Sequence, residues 1–176
     1  LILIWWVVTA LQLIDQVLLP TPIDTFLALW EGVFQGDLLR DFWLTLYRSL
    51  YAFVIATILG IPIGILLGAN ERLYRSFEFL IDFYRSTPAT AMFPLFLVVF
   101  GIGDFSKVAV AAFAGGLVIF FNVAYGVMNT RKTRIMAAKV MGTPRWRIFF
   151  DVIFFETLPQ TFIGLRTAIS LTLVVI

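Results

Sequence analysis

The sequence predicts an all-α protein, a polytopic bundle of transmembrane helices, and three observations lead to this class. Hydrophobic residues make up 61% of the 176 residues, charged residues 14%, and the mean hydropathy is +0.97, values far from those of a water-soluble domain. Apolar runs of about 20 residues alternate with shorter polar segments. Lysine and arginine are concentrated in two of those polar segments. We therefore expect one membrane domain over residues 1–176, incomplete at both ends, with five spans present.

The first predicted span covers residues 1–19, because this run is apolar and too long for the core of a signal peptide. Pro20 and Pro22 should end that helix. Residues 23–41 then place apolar side chains at helical spacing opposite Asp24 and Glu31, a pattern typical of an amphipathic helix at the membrane surface.

The second predicted span covers residues 46–69 and contains three glycines spaced four apart, Gly60, Gly64 and Gly68. This spacing places them on one helix face, where the backbone of another helix can approach closely. The alternative is the ordinary enrichment of glycine in membrane helices. We expect Gly60, Gly64 and Gly68 to be helix-packing residues.

The remaining spans are less regular. Residues 70–87 are charged and should leave the hydrocarbon. The third span, residues 88–102, would be about 22 Å long, short of a core of about 30 Å, so it either begins earlier, near Phe77, or is not a full span. The fourth covers 108–128, a polar loop covers 129–159, and a fifth begins near Phe162.

The distribution of basic residues predicts the topology. Arg40 and Lys107 lie in the segments expected outside, and Arg48 lies at the border of the second span. All the other cations except Arg166 lie in 70–87 and 129–159. Because cytoplasmic loops accumulate lysine and arginine, we expect both segments to be cytoplasmic, a cytoplasmic amino end, and a genuine third crossing.

Candidate chemistry is mostly excluded by residue type. The 176 residues contain no cysteine and no histidine, which excludes thiol and imidazole chemistry within them. They also contain no G-x-x-x-x-G-K-[ST] loop for nucleotide phosphates. Asn122 lies well inside the fourth span, where a buried amide either bonds a neighbouring helix or lines a translocation path. Both interpretations stay open.

The polar loop 129–159 predicts two short helices that meet at a corner. Residues 133–141 are good helix formers, Gly142 can take the left-handed backbone that ends a helix, Thr143 can cap the next helix, and Pro144 suits its first turn.

The side chains around this corner are suited to docking. Ala137 and Ala138 remove bulk from the first helix, while Arg145, Trp146 and Arg147 are of types favoured at interface hot spots. Anionic lipid headgroups would also bind this basic surface. On composition alone, a protein partner and a lipid surface are equally acceptable.

The spacing Ala137-Ala138-x-x-x-Gly142, with Pro159 beyond, resembles the "EAA" loop of the membrane subunits of bacterial ATP-binding-cassette importers. The chain more closely resembles the permease subfamily for nitrate, sulfonate, taurine and bicarbonate, and this resemblance covers nearly the whole sequence. The segments that carry it are Leu19-Pro-Thr-Pro22, Gly60-Ile-Pro-Ile-Gly64-Ile-Leu-Leu-Gly68, Arg85-Ser-Thr-Pro88, Phe93-Pro-Leu-Phe96, Phe100-Gly-Ile-Gly-Asp-Phe-Ser-Lys107, Leu158-Pro-Gln160 and Gly164-Leu-Arg166.

The resemblance implies a type I importer membrane domain whose coupling helix sits in a groove of a separate cytoplasmic ATPase. Carried over by position, Ala137, Ala138 and Gly142 lie at the core of that contact, with Thr143, Pro144, Arg145 and Arg147 adjoining. Two positions depart from the motif: Met136 replaces its glutamate, and Phe154-Phe155 replaces its Leu-Pro pair. The departure at Met136 puts in doubt any contact that depends on that glutamate.

The resemblance also implies the rest of the assembly. It predicts a second permease copy in a homodimer, ATP and Mg on the ATPase subunits, no cofactor in this chain, and an extracytoplasmic substrate-binding protein. The location would be the bacterial inner membrane, surrounded by lipid and without a nucleic-acid partner. A sixth span would lie beyond Ile176. The solute would be a small oxyanion such as nitrate, sulfonate, taurine or bicarbonate.

Two other classes stay as alternatives to an ATP-driven permease. An ion-coupled secondary transporter is disfavoured because neither a convincing intramembrane acid nor an inverted repeat is visible. A membrane-embedded enzyme is disfavoured because no catalytic constellation is present. Dependence of uptake on ATP would exclude the former, and absence of activity in the isolated chain the latter.

Overall fold

The structure, a computed structural model, describes residues 2–11, 13–15 and 17–176, with Arg85 described by its backbone alone. The described residues form helices and contain no strand. The helices are α1 (Ile2–Ala10), α2 (Pro22–Phe34), α3 (Leu38–Gly68), α4 (Glu71–Ser86), a 3₁₀ turn (Ala89–Met92), α5 (Phe93–Phe100), α6 (Asp104–Met128), α7 (Lys132–Val140), α8 (Arg145–Arg147), a π-helical segment (Ile148–Phe154) and α9 (Phe155–Val175).

The chain divides into two compact units, Leu1–Leu44 and Thr45–Ile176. In the first unit, α1 ends at Ala10, so the predicted first span over 1–19 is wrong. Nine residues of helix extend about 13 Å, which cannot cross a hydrocarbon core. Gln12 and Gln16, and Leu1 before the helix, lie outside the described residues.

Beyond α1, local hydrogen bonds hold the backbone near Asp15. The Asp15 carboxylate accepts from the Val17 backbone N–H at 3.0 Å, and the Asp15 carbonyl accepts from Leu18 N–H at 2.9 Å. Such short-range bonds offer the backbone an alternative to helix. Trp5 Nε1 donates to the Pro20 carbonyl at 3.1 Å, so the segment after α1 folds back beside it.

The predicted surface helix is formed as α2, although it ends at Phe34 and not near residue 41. Thr21 caps it, since Asp24 N–H donates to Thr21 Oγ1 at 3.2 Å, and Pro22 occupies its first turn. A capping hydroxyl followed by proline is a favourable helix start. No residue of α2 is buried.

In the second unit, α6 is the central helix and α3 runs parallel to it. A Cβ built on Gly60 would lie 3.0 Å from the Gly116 carbonyl oxygen, and one on Gly64 would lie 2.8 Å from the Phe120 carbonyl oxygen. At the other end of the pair, Arg48 Nη2 donates to Asp104 Oδ2 at 2.8 Å. The contact points advance in the same direction along both helices.

The packing of α9 on α6 is antiparallel and equally close. A Cβ on Gly115 would meet Thr172 Cγ2 at 2.9 Å, whereas a Cβ on Gly126 would meet Thr157 Cγ2 at 2.9 Å. The contacts therefore advance along α6 while they recede along α9. Small residues allow such close approach between membrane helices.

Three helical runs among the described residues are long and apolar enough to cross a membrane, namely Leu38–Gly68, Asp104–Met128 and Arg145–Val175. Five spans were expected. The first expected span ends at Ala10, and the third is divided, because α4 ends at Ser86 and Ala89–Phe100 forms a shorter apolar helix. Pro88 favours an extended residue before it, and Thr87 has ψ 122°.

Residues 69–103 nevertheless return the chain across the bundle, because α3 and α6 are parallel and this segment joins the end of one to the start of the other. In α4, Ile81 packs with Phe120, and the Tyr84 ring lies 5.5 Å from that of Phe113. In α5, the Phe96 ring lies 5.6 Å from the same Phe113. Thus the charged segment 70–87 forms the helix α4, which lies against α6.

The last helical run begins at Arg145, well before the predicted start near Phe162. It contains a π-helical segment, Ile148–Phe154, and Pro159 lies inside α9. A proline removes one backbone donor, and π turns commonly accommodate such irregularities within a continuous helix. The second part of the predicted loop 129–159 is therefore a helical extension of α9.

We expect Gly64→Ala to destabilise the protein, since its Cβ would lie 2.8 Å from both the Phe120 carbonyl oxygen and Val123 Cβ. Overpacking costs typically about 1–3 kcal/mol, although alanine is otherwise the better helix former. Thermal unfolding in detergent measures the effect. Gly116→Ala is the matched control, because its Cβ would meet its nearest neighbour at 3.8 Å; equal melting temperatures would contradict the close packing of α3 on α6.

Candidate docking surface

The corner between α7 and α8 is built by Gly142. Gly142 N–H donates to the Lys139 carbonyl at 3.0 Å, and Thr143 N–H donates to the Ala138 carbonyl at 3.0 Å, the two bonds that define a Schellman helix end. The φ angle of Gly142 is +75°, and no atom lies within 4 Å of a Cβ built there. Glycine is therefore needed at this corner for its backbone conformation and not for space.

The start of α8 differs in detail from the sequence expectation. The N-cap residue is Pro144, with φ −66° and ψ 150°, and no side chain caps this helix. Thr143 was expected to be the cap, with Pro144 in the first turn. Since Thr143 is used as the last residue of the Schellman end, the helix begins one residue later. Arg147 N–H then donates to the Pro144 carbonyl at 3.0 Å.

The two short helices face each other across a cleft of about 860 Å³ at the end of the bundle. Ala137 and Ala138 line one wall, and Arg147, Asp151 and Pro159 lie on the other. The structure thus places the alanine pair and Arg147 around one concavity, whereas Arg145 is exposed and does not line it. The short alanine side chains leave the cleft open.

Large apolar side chains at this corner are exposed. Val140 is 89% exposed, Met141 82%, Met136 67% and Trp146 60%. The Arg147 guanidinium lies 5.1 Å from the centroid of the Trp146 ring, within the range of a cation–π contact. Exposed apolar side chains rimmed by cations are typical of a protein interface. Met136, at the position of the motif's glutamate, adds to this exposed apolar surface.

Glu156 ties this surface to α9. Its carboxylate accepts a hydrogen bond from Arg131 N–H at 2.9 Å and forms an ion pair with the Arg134 guanidinium. The Glu156 side chain is 16% exposed and the Arg134 side chain 56% exposed, so water reaches this ion pair from the arginine side. A carboxylate at the amino end of α7 is also favoured by the helix dipole. Glu156 therefore fixes the start of α7 to the first turn of α9.

Sequence reasoning missed Glu156 and Arg134 as partners, because they are 22 residues apart and no local period connects them. A signal was present: Glu156, like Asp151, is an acid in an apolar run that follows a basic segment. Such an acid is expected to find a cation.

The structure places Asn122 at the contact between α6 and α9. Asn122 Nδ2 donates to the Val118 carbonyl at 2.8 Å, and Asn122 Oδ1 accepts from Gln160 Nε2 at 2.9 Å. One of the two interpretations, a hydrogen bond between helices, is therefore observed. The same side chain also lines a cavity, so a role in a translocation path is not removed by this bond.

Comparison with known proteins identifies a family. The sequence model of the family described as "Binding-protein-dependent transport system inner membrane component" matches residues 60–174, well over half of the chain. The matched range includes α6, α9 and the docking surface.

Several characterised or named relatives are similar over most of this chain. The taurine transport system permease protein TauC of Escherichia coli is 30% identical over 175 residues, which cover 97% of this chain and 64% of the relative. The putative aliphatic sulfonates transport permease protein SsuC of Bacillus subtilis is 26% identical, with 97% and 62% covered. The bicarbonate transport system permease protein CmpB of Synechococcus elongatus is 31% identical, with 88% and 59% covered. The chain spans less than two thirds of the length of each.

We expect Glu156→Leu to loosen the docking surface, since it leaves Arg131 N–H and Arg134 without their shared partner. The charge-assisted contact that holds the amino end of α7 is then lost. Amide hydrogen exchange in the first turn of α7 should accelerate at least about tenfold. Glu71→Leu is the control, because its ion pair with Arg75 is 69% and 71% exposed and exposed pairs contribute little. Unchanged exchange in α7 would contradict the role given to Glu156.

Proposed function

The chain belongs to the family of binding-protein-dependent transport system inner membrane components, and from this premise we propose that it is the membrane-spanning permease subunit of an ATP-driven importer. The observation that supports this function is the surface at the α7–α8 corner. It combines an exposed apolar patch, a basic rim and a corner that requires glycine. This surface is suited to bind a protein partner at the end of the bundle.

The partner of this surface is a separate cytoplasmic ATPase subunit. Ala137, Ala138 and Gly142 lie at the core of the contact, and Thr143, Pro144, Arg145 and Arg147 adjoin it. ATP and Mg bind to the partner, in keeping with the absence of a phosphate-binding loop from these 176 residues. The chain itself is a transport component and not an enzyme.

Coupling follows from how the docking surface is attached. The run from Arg145 to Val175 is one helix, and Glu156 fixes the start of α7 to it. Movement of a docked ATPase would therefore be passed to α9 and, through its close packing, to α6. Two arrangements of the spans, favoured by different states of the ATPase, would expose a central path alternately to each side.

The assembly and topology are proposed on the same basis. The ends of α3 and α6 meet where a Cβ on Gly68 would lie 2.8 Å from the Ala124 carbonyl oxygen, and basic residues of α4 and α7 follow there. We place this end in the cytoplasm. A second copy forms a homodimer in the bacterial inner membrane, and an extracytoplasmic binding protein delivers the solute.

The solute class rests on the relatives. The names of three of them refer to taurine, aliphatic sulfonates and bicarbonate, which are small molecules that carry an oxyanion group. We propose a solute of the same kind, nitrate included.

The corner at Gly142 gives a direct test of coupling. A β-branched residue cannot easily take φ +75°, and left-handed backbone costs other residues about 1–2 kcal/mol, so Gly142→Val should misalign α7 and α8. We expect membrane insertion to persist while ATP-driven uptake by reconstituted vesicles falls at least about tenfold. Gly142→Asn is the control, because asparagine tolerates this conformation. Normal uptake by Gly142→Val would contradict the coupling role.

The basic rim gives a second test. Reversal of both Arg145 and Arg147 to glutamate should weaken association with the ATPase, and the difference from wild type should shrink as salt is raised, because exposed charges are screened. Co-purification at two ionic strengths measures this. The control carries the same change of charge at Arg40 and Arg72, which are exposed elsewhere. If both double variants behave alike, a local charge contact is excluded.

A further inference from the structure

We propose, on the basis of the permease function proposed above, that the solute passes through a polar cleft between α4, α6 and α9, where uncharged hydrogen-bonding side chains hold its oxyanion group. The polar side chains of this cleft are Tyr74, Tyr84, Thr87, Asn122, Tyr125 and Gln160. Its volume is about 560 Å³, within the range of small-molecule sites.

The cleft occupies a face of α6 that the neighbouring helices leave open. Val118, Asn122 and Tyr125 line it at helical spacing. A different face of α6, with Ile119 and Val123, packs against the glycines of α3. The fold therefore holds α6 firmly on one side while this face stays accessible.

The polarity of the cleft argues against contact with lipid tails. Polar side chains in membrane segments are costly and normally face the protein interior or a water-filled cavity. A neighbouring cavity of about 830 Å³ between α3, α4, α5 and α6 shows the contrast, because aliphatic and phenylalanine side chains line it throughout except at Tyr84. Tyr84 lines both the polar cleft and the apolar cavity, whereas the other polar side chains line the polar cleft alone.

Hydrogen bonds within the cleft leave donors available. Asn122 donates to the Val118 carbonyl and accepts from Gln160. The bond between Gln160 and Asn122 uses one of the two N–H groups of Gln160. Among the described residues, the hydroxyls of Tyr74, Tyr84 and Tyr125 make no hydrogen bond. A solute oxyanion would therefore meet hydroxyl and amide donors. Among the residues whose side chains the structure describes, those that line the cleft carry no formal charge.

Uncharged donors are suited to a path. A transported solute must bind well enough to enter and weakly enough to leave. Neutral hydrogen bonds are about half as strong as charge-assisted ones. A ring of hydroxyl and amide donors therefore recognises an oxyanion without trapping it, which a fixed arginine would do.

A small anionic probe tests this path without knowledge of the natural solute. Single cysteines would be placed at Gln160 and at Tyr84 of the full-length protein, in a background with no other cysteine, and treated with 2-sulfonatoethyl methanethiosulfonate. This reagent carries a sulfonate and modifies thiolates. The control cysteine replaces Val98 of α5, which is 85% exposed among apolar neighbours. We expect labelling of both cleft positions at least about tenfold faster than at position 98, because a thiolate does not form in hydrocarbon.

The outcomes separate this inference from the permease function. Labelling of the cleft positions that changes when the ATPase partner and ATP are added supports both. Fast labelling that is unaffected by partner and ATP supports the cleft and contradicts ATP-driven gating. Labelling at positions 160 and 84 no faster than at 98 overturns the cleft, whatever the ATPase does.

A charge variant keeps the test independent of cysteine replacement. Gln160→Glu is nearly isosteric and puts a negative charge beside the oxyanion, and Gln35→Glu makes the same change at an exposed residue of the first unit. In the complete complex, uptake of ethanesulfonate or bicarbonate should fall at least about tenfold in Gln160→Glu alone. Assembly and ATP hydrolysis should persist. Equal uptake by both variants would overturn the proposed cleft.

Discussion

The close approach of α6 to α3 and α9 determines where every other part of the second unit lies. Between membrane helices no hydrophobic driving force operates, so association depends on packing and hydrogen bonds. On α3, α6 and α9, every glycine except Gly116 would place an added Cβ within 3.0 Å of a neighbouring helix, and for α3 those neighbours include carbonyl oxygens of α6. Backbone cannot move aside as a flexible side chain can. The three helices are therefore fixed with α3 parallel and α9 antiparallel to α6.

Both functional features follow from this arrangement. The helical run that contains α9 begins at Arg145. The docking surface is therefore part of the same continuous helix that packs on α6. Glu156 closes the connection by fixing α7. The remaining face of α6 is left to the polar cleft. A movement at the α7–α8 corner can thus reach the cleft through elements that are in direct contact.

Much of this could be predicted from local sequence, because the relevant signals are local. Spacing by four marks the glycines of α3, a hydroxyl before proline marks the start of α2, and Gly142 marks a corner that needs positive φ. The family itself is confirmed by the match over 60–174. The end of α1 at Ala10 was missed, because hydropathy alone predicts a span that continues through residue 19.

Contacts distant in sequence were not predictable in this way. Gln160 lies 38 residues from Asn122, and Glu156 lies 25 residues from Arg131, so neither pair belongs to one helical period. The start of the last helical run was predicted too late in the chain. In the sequence, polar residues such as Arg147 and Asp151 are typical of a loop, whereas in the structure they belong to the helical run and line the cleft. The parallel arrangement of α3 and α6, in contrast, agrees with the topology that the basic residues predict.

Site-directed cross-linking tests the central claim, that the α7–α8 corner docks an ATPase, most directly. Met141 is 82% exposed at the corner, and Ile102 is 98% exposed at the opposite end of the bundle. A single cysteine at Met141, loaded with a short photoactivated cross-linker in native membranes, should capture a subunit that mass spectrometry identifies as an ATP-binding-cassette ATPase, whereas one at Ile102 should not. Capture of that ATPase from neither position, or equally from both, would contradict the account.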